Sequence, residues 1–212
     1  MFKTIHEKSK ASFIVNKSEF IGYACPCDTE EDALEFISYI NEKHKDATHN
    51  CYAYIIGKEK LIQRFSDDGE PSGTAGVPML EVLKKEDLTN LCVVATRYFG
   101  GIKLGAGGLV RAYSKSVRVA LEANKIVEKK IFDIVELDLD YSLLGVIENY
   151  LAVNNLIAID KQFLNRVFIS VYIQKDKFNQ FKGEMDNLSS ATIKISRKKE
   201  VYLSTINDEI IL

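Results

Sequence analysis

Apolar and polar positions change their spacing several times along this chain, and each change marks an element. FIVNKSEFIGYA (13–24) places apolar residues on both sides of polar Asn16-Lys17-Ser18, which predicts two short strands joined by a turn. Ala33, Phe36, Ile37 and Ile40 then fall at i, i+3, i+4 and i+7, one apolar face of a helix ending near Lys45. Thr29 stands where an N-cap belongs, with Glu30, Glu31 and Asp32 in the first turn, where acidic groups suit the helix dipole. NCYAYIIG and KLIQRF, separated by Gly57, read as a hairpin. A short helix is expected around Met79–Leu83, with Pro78 confined to its first turn. LCVVATRYF is a buried strand, and GGLVRAYSKSVRVALEAN turns helical with Val110, Tyr113, Val117 and Leu121 on one face.

The texture changes near residue 128. Beyond it only Gly145 and Gly183 remain of the 12 glycines, and proline is absent. Two domains are therefore expected, 1–128 and 129–212, meeting at the charged stretch Glu128-Lys129-Lys130. In the second, FDIVELDLDY alternates as a half-buried strand. Ser142 is placed to cap a helix through Leu151, with Leu144, Ile147 and Leu151 inward. LIAIDKQFL and RVFISVYI form a hairpin around Asn165, KDKFNQFKGEMDNL a second helix, and ATIKISRKKEVYLSTI the closing strand or strands. The order β-α-β-β-α-β is that of a ferredoxin-like unit. The fold class is α+β, each domain with helices on one face of a mostly antiparallel or mixed sheet.

Composition adds boundaries rather than direction. With 46% hydrophobic and 27% charged residues the chain is ordinary for a globular protein. Its formal net charge of -2 excludes bulk polyanion binding, so a nucleic-acid contact must rest on a local patch. The N-terminal MFKTIHEKSKASF lacks an apolar core, and no run approaches the roughly 18 apolar residues of a membrane span, so a cytoplasmic protein is expected. Cys25, Cys27, Cys51 and Cys92 read as half-buried thiols; the spacing of CPC and HNC does not suit a zinc knuckle, and no metal is expected.

Two stretches carry candidate chemistry. The first is RYFGGIKLGAGGLVRAYSKSVR (97–118), which holds Gly100, Gly101, Gly105, Gly107 and Gly108. A strand runs into glycines that open a helix, and free N–H groups at such a start attract anions. Neither a dinucleotide fingerprint nor the Lys-Ser/Thr ending of a P-loop is present. Arg111, Lys115 and Arg118 form a stripe at i, i+4 and i+7, and Arg97 and Lys103 are expected to join them from the loop. These ten residues form the expected phosphate- or nucleic-acid-binding surface. In the second stretch, RFSDDGEPSGTAG (64–76), Asp67, Asp68 and Glu70 lie on one loop, a set suited either to Mg²⁺ or to an ordered turn. His49, with His44 and His6, lacks a neighbouring nucleophile in sequence and is expected to pack or cap.

The sequence FSDDGEPSGTAGVPML followed by RYFGGIKLGAGGLVRAY closely resembles the signature of the YigZ/IMPACT family, and His49 with Cys51 resembles its His-x-Cys. The resemblance covers about residues 1–125. It implies a first domain like the second domain of ribosomal protein S5 and a C-terminal domain like the last domain of elongation factor G. Eukaryotic relatives act in translational control, and no catalytic residues or cofactor are implied. The expectation is a binding protein for RNA or the ribosome with a role in translation regulation, without a cofactor and without a membrane partner. The alternative is an Mg²⁺-dependent phosphoryl-transfer enzyme that holds phosphate on the glycine loop.

Overall fold

The computed structural model describes residues 1–211. The chain divides into two compact units, Met1–Lys129 with Ile206–Glu209, and Lys130–Thr205 with the segment from Ile210. The charged stretch Glu128-Lys129-Lys130 is strand rather than linker, because it lies inside β7 (Ile126–Leu139).

The first unit holds β1 (Phe2–Ile5), β2 (Ser9–Val15), β3 (Ser18–Pro26), α1 (Glu30–Lys43), β4 (His49–Ile56), β5 (Ile62–Ser66), α2 (Gly76–Lys85), β6 (Leu91–Tyr98) and α3 (Gly105–Glu122). Its main sheet has the order β2-β3-β6-β4-β5, antiparallel throughout. β1, absent from the sequence-based expectation, pairs with Ile126–Lys129 at the start of β7. The β2–β3 connection is tighter than expected: Asn16 and Lys17 both take positive φ (46° and 62°), and Val15 pairs directly with Ser18. That is the backbone of a type I′ turn.

Helices cover both faces of this sheet, where one face was expected. Phe20, Ala24, Cys51, Ala53, Ile55, Val93 and Ala95 face α2 and α3 and pack on Met79, Leu83, Leu109, Tyr113 and Val117. Residues of opposite parity, among them Tyr23, Cys25, Tyr54, Cys92 and Val94, pack under Ala33, Phe36, Ile37 and Ile40 of α1. The physical reason is in β6: Leu91 through Ala95 are all buried, and a strand with no polar alternation must be covered on both sides. α1 is held at its start by a full capping box, Thr29 Oγ accepting from Asp32 N at 3.1 Å and the Asp32 carboxylate accepting from Thr29 N at 2.9 Å. α3 lies directly on β3, where a Cβ on Gly22 would come within 2.0 Å of the Ser116 carbonyl oxygen. Its buried face is Leu109, Ala112, Tyr113, Ser116, Val117, Ala120 and Leu121; Val110, expected inward, is 36% exposed.

The second unit runs through the rest of β7, α4 (Leu144–Val153), β8 (Ala158–Phe163), β9 (Val167–Gln174), α5 (Phe178–Ser189), β10 (Lys194–Ile206) and β11 (Glu209–Ile211). The order β10-β7-β9-β8, with β11 beside β10, is the ferredoxin-like arrangement, β9 lying between β7 and β8. Val135, Leu137, Leu139, Val167, Ile169 and Val171 form one face against Ile147, Leu151, Phe181 and Met185 of the helices. Ser142 does not cap α4: it sits in a one-turn 3₁₀ segment, Tyr141–Leu143, and no side chain bonds the start of α4.

Candidate functional site

The acidic loop is best understood from its hydrogen bonds. Asp67 Oδ1 accepts from the backbone N–H of Ala75 (3.0 Å) and Gly76 (2.8 Å), and Oδ2 from Gly73 N–H (2.8 Å). Because Ala75 at the start of α2 has no capping side chain of its own, Asp67 supplies the acceptor from outside the helix. Asp68 Oδ2 accepts from Asn50 N–H at 2.6 Å, while its carbonyl lies 2.6 Å from His49 Nδ1. A carbonyl can only accept, so Nδ1 carries the proton and Nε2 is left as the basic nitrogen.

Glu70 turns inward and is only 8% exposed. Its Oε1 accepts from Arg97 Nη1 at 2.5 Å and from the Tyr113 hydroxyl at 2.7 Å, and Oε2 lies 3.9 Å from His49 Nε2. Cys51 donates its thiol to the Asp67 carbonyl at 3.0 Å. Burial pushes the Cys51 thiol up to about 12 and the Tyr113 hydroxyl well above the usual phenol range. Both therefore stay neutral beside the Glu70–Arg97 ion pair.

All three carboxylates are thus engaged by this chain's own donors, the pattern of the ordered turn that was the other reading of this loop. Among the described residues no group of three or more His, Cys, Asp or Glu is arranged to hold a metal ion. Arg97 likewise leaves the expected cationic surface. It follows Leu91, Val93 and Ala95 at strand parity, points into the layer beneath α2 and α3, and is 5% exposed.

The glycine loop separates into path-making and surface positions. A Cβ on Gly100 would stand 1.9 Å from the Lys17 carbonyl oxygen, so the β2–β3 turn lies on its backbone. Gly101 and Gly105 take φ of +85° and +69°, which side chains resist. Gly107 and Gly108 differ. At Gly107 a Cβ would meet only Arg111 Nη1, at 3.7 Å, and at Gly108 the Leu104 side chain, at 3.0 Å. The first turn of α3 has neither a capping side chain nor an acidic residue, and Gly105, Ala106 and Gly107 are exposed.

Lys103, Arg111, Lys115 and Arg118 are all exposed. Arg111 and Lys115 stand at a cleft of about 230 Å³ shared with Phe13, Val15, Leu104 and Gly108. Lys115 Nζ lies 4.4 Å over the Phe13 ring, which stacks on Phe20 with centroids 5.5 Å apart. Arg118 instead lines a separate cavity of about 400 Å³ with Glu86 and Glu122, whose charges oppose its own. The basic run at 194–199 is partly paired, Lys198 with Glu136 at 2.8 Å and Arg197 with Asp133 at 3.5 Å. Two cations, an apolar floor with one aromatic ring and helix-start N–H groups without a side-chain cap among the described residues can hold a phosphate-bearing chain with a base against the cleft. Sequence reasoning missed Phe13 because only the β2–β3 register brings it beside α3.

Comparison with known proteins agrees with this architecture. Residues 16–121 match the Impact N-terminal domain, and residues 137–192 match a domain of unknown function, DUF1949. The IMPACT family member YvyE of Bacillus subtilis is 44% identical over 94% of this chain and 92% of its own length. The IMPACT family member YigZ of Escherichia coli is 33% identical over 85% of this chain and 90% of its own. A crystal structure of a hypothetical protein superposes with a TM-score of 0.60 at 30% identity, covering 93% of this chain and 97% of that one. No helix among the described residues is long and apolar enough to cross a membrane. On its two domain matches and its near full-length relatives, this chain belongs to the IMPACT family.

Proposed function

We propose that the protein binds single-stranded RNA, in its cellular setting ribosomal RNA, through the start of α3, and that it acts in translation regulation. The observation that carries this reading is the pairing of Arg111 and Lys115 with the Phe13 cleft and an uncapped helix start. The cellular role rests on the translational control that the family resemblance implies. Cations without that cleft are a solvated face; with it they frame a groove that accepts both phosphate and base. The hydrogen bonds that Asp67 accepts from Gly73, Ala75 and Gly76 favour an ordered turn over the metal site that the phosphoryl-transfer alternative needs.

Fluorescence anisotropy on labelled single-stranded RNA across a salt series tests the proposal. Contacts from Lys103, Arg111 and Lys115 predict a log–log salt slope of about −2.1, at about −0.7 for each phosphate neutralised. The double variant Arg111→Glu/Lys115→Glu should weaken binding and reduce the slope by about 1.4. Arg118→Glu should do less, because Glu86 and Glu122 already offset that charge. Unchanged affinity in the double variant, or no affinity in the parent, overturns the proposal. Co-sedimentation with ribosomal subunits on a gradient then tests the cellular setting.

A further inference from the structure

On the face of the first sheet opposite the proposed RNA surface, three of the four cysteines gather in one core. Cys25, Cys27 and Cys92 all belong to the layer under α1. Cys25 and Cys92 are direct cross-strand partners on antiparallel β3 and β6. Such pairs hold their Cα atoms about 4.5–5.5 Å apart, inside the range that a disulfide spans. Cys25 also reaches a cavity of about 460 Å³, together with Lys8, Asp28, Asp32, Phe36 and Tyr39. That is ample for a molecule the size of a hydroperoxide. Cys51, by contrast, faces the other layer and donates to the Asp67 carbonyl.

We infer that Cys25 and Cys92 form a redox site, in which a hydroperoxide entering the cavity oxidises Cys25 and Cys92 closes a cross-strand disulfide. The Cys25 thiolate attacks one peroxide oxygen; an S–O bond forms, the O–O bond breaks, and hydroxide leaves. Sulfur is oxidised by two electrons to sulfenic acid and the peroxide is reduced. The Cys92 sulfur, giving up its proton, then attacks the Cys25 sulfur; the S–S bond forms, the S–O bond breaks, and water departs. Two thiols and one hydrogen peroxide thus give one disulfide and two waters.

The roles divide by environment. The Cys27 thiol donates to the Cys25 carbonyl at 3.5 Å, and this neighbour, together with the Lys8 charge, holds the Cys25 thiol below its ordinary range against the opposing effects of burial and Asp32. That neighbour, with burial, keeps Cys27 protonated, so Cys27 is a positioning residue and not the attacking one. Cys92 is pushed up by burial, which suits a partner that reacts only once the sulfenic acid stands opposite it.

The test treats the intact chain with hydrogen peroxide, then unfolds it, blocks free thiols and maps the peptides. The expected product joins the peptides carrying Cys25 and Cys92 and is restored to two thiols by dithiothreitol. Cys92→Ser should leave a sulfenic acid at Cys25 that dimedone captures, and Cys25→Ser should abolish both products. Cys27→Ala should slow alkylation of native Cys25 near neutral pH, with the circular dichroism spectrum unchanged. Cys25 should react at least about tenfold faster than Cys51, as thiolate availability requires. Equal rates at Cys25 and Cys51, or no Cys25–Cys92 link in the folded parent, overturn the inference. A Cys25–Cys27 link overturns the assignment of Cys92 as partner.

Discussion

Replacing Glu70 by Gln probes the buried ion pair beneath the 67–76 loop. The substitution keeps an oxygen for the Tyr113 hydroxyl but removes the charge that neutralises Arg97, itself 5% exposed. Breaking a buried ion pair from one side costs about 3–5 kcal/mol, because the remaining charge stays out of water. For a chain of 212 residues that corresponds to a fall in melting temperature of about 6–20 °C. Tyr113→Phe removes one hydrogen bond to the carboxylate and leaves the ion pair, so about 1.5–3 kcal/mol is expected. The decisive measurement is the cycle of Glu70→Gln, Arg97→Met and the double variant, followed by calorimetry. Once both charges are gone no orphan remains, and the double variant should be more stable than the sum of the singles implies, by about 2–3 kcal/mol. Additive losses, or a Glu70→Gln cost below about 1 kcal/mol, would show that water reaches the pair and that the loop is not anchored by it.

The glycines give a paired prediction. Gly107→Ala should raise stability by about 0.5–1 kcal/mol while weakening RNA affinity, since its Cβ has room but covers the exposed backbone. Gly100→Ala should lose at least about 1–3 kcal/mol through collision with the Lys17 carbonyl; both effects are read from urea titrations with parallel anisotropy. Asp67→Ala should free the start of α2 and cost at least about 1–2 kcal/mol, with faster amide exchange at Gly73, Ala75 and Gly76. His44 bridges the Tyr23 hydroxyl (2.7 Å) and the Tyr98 hydroxyl (2.9 Å), and burial with Lys43 holds its pKa below the ordinary 6.5 against Asp46 and Glu19. The unfolded chain therefore takes up the proton first as pH falls. The stability carried by neutral His44 is complete above 6.5 and is lost as pH drops through 6.5 toward the lower folded value. A His44→Gln variant should show a flatter pH–stability curve over that window; parallel curves would refute the assignment.

Much of the fold was legible because periodicity reports burial. The α1 face of Ala33, Phe36, Ile37 and Ile40 and the β-α-β-β-α-β order after residue 128 follow directly from apolar spacing. The second covered face of the first sheet was also written in LCVVA, whose lack of alternation demands cover on both sides. β1 was not legible, because FKTI pairs with Ile126–Lys129 from more than half the chain away. At the site, the exposed Arg111, Lys115 and Arg118 stripe follows from helical spacing alone. Arg97 was misplaced because its charge was weighed and its strand parity was not. The role of Asp67 needed coordinates, since its donors at Gly73, Ala75 and Gly76 are chosen by the path of the loop. The cleft needed them too, since Phe13 and Lys115 meet only through tertiary packing.

The contact between Gly22 and the Ser116 carbonyl sets the height of α3 above the sheet by backbone meeting backbone. No rotamer can absorb a change there, so the helix behaves as a rigid bar resting on a fixed bearing. One methyl group at position 22 would lift that bar and carry Arg111 and Lys115 away from Phe13 without altering any charge. The spacing between the cations and the aromatic floor thus becomes an adjustable length, set by a residue that touches neither of them.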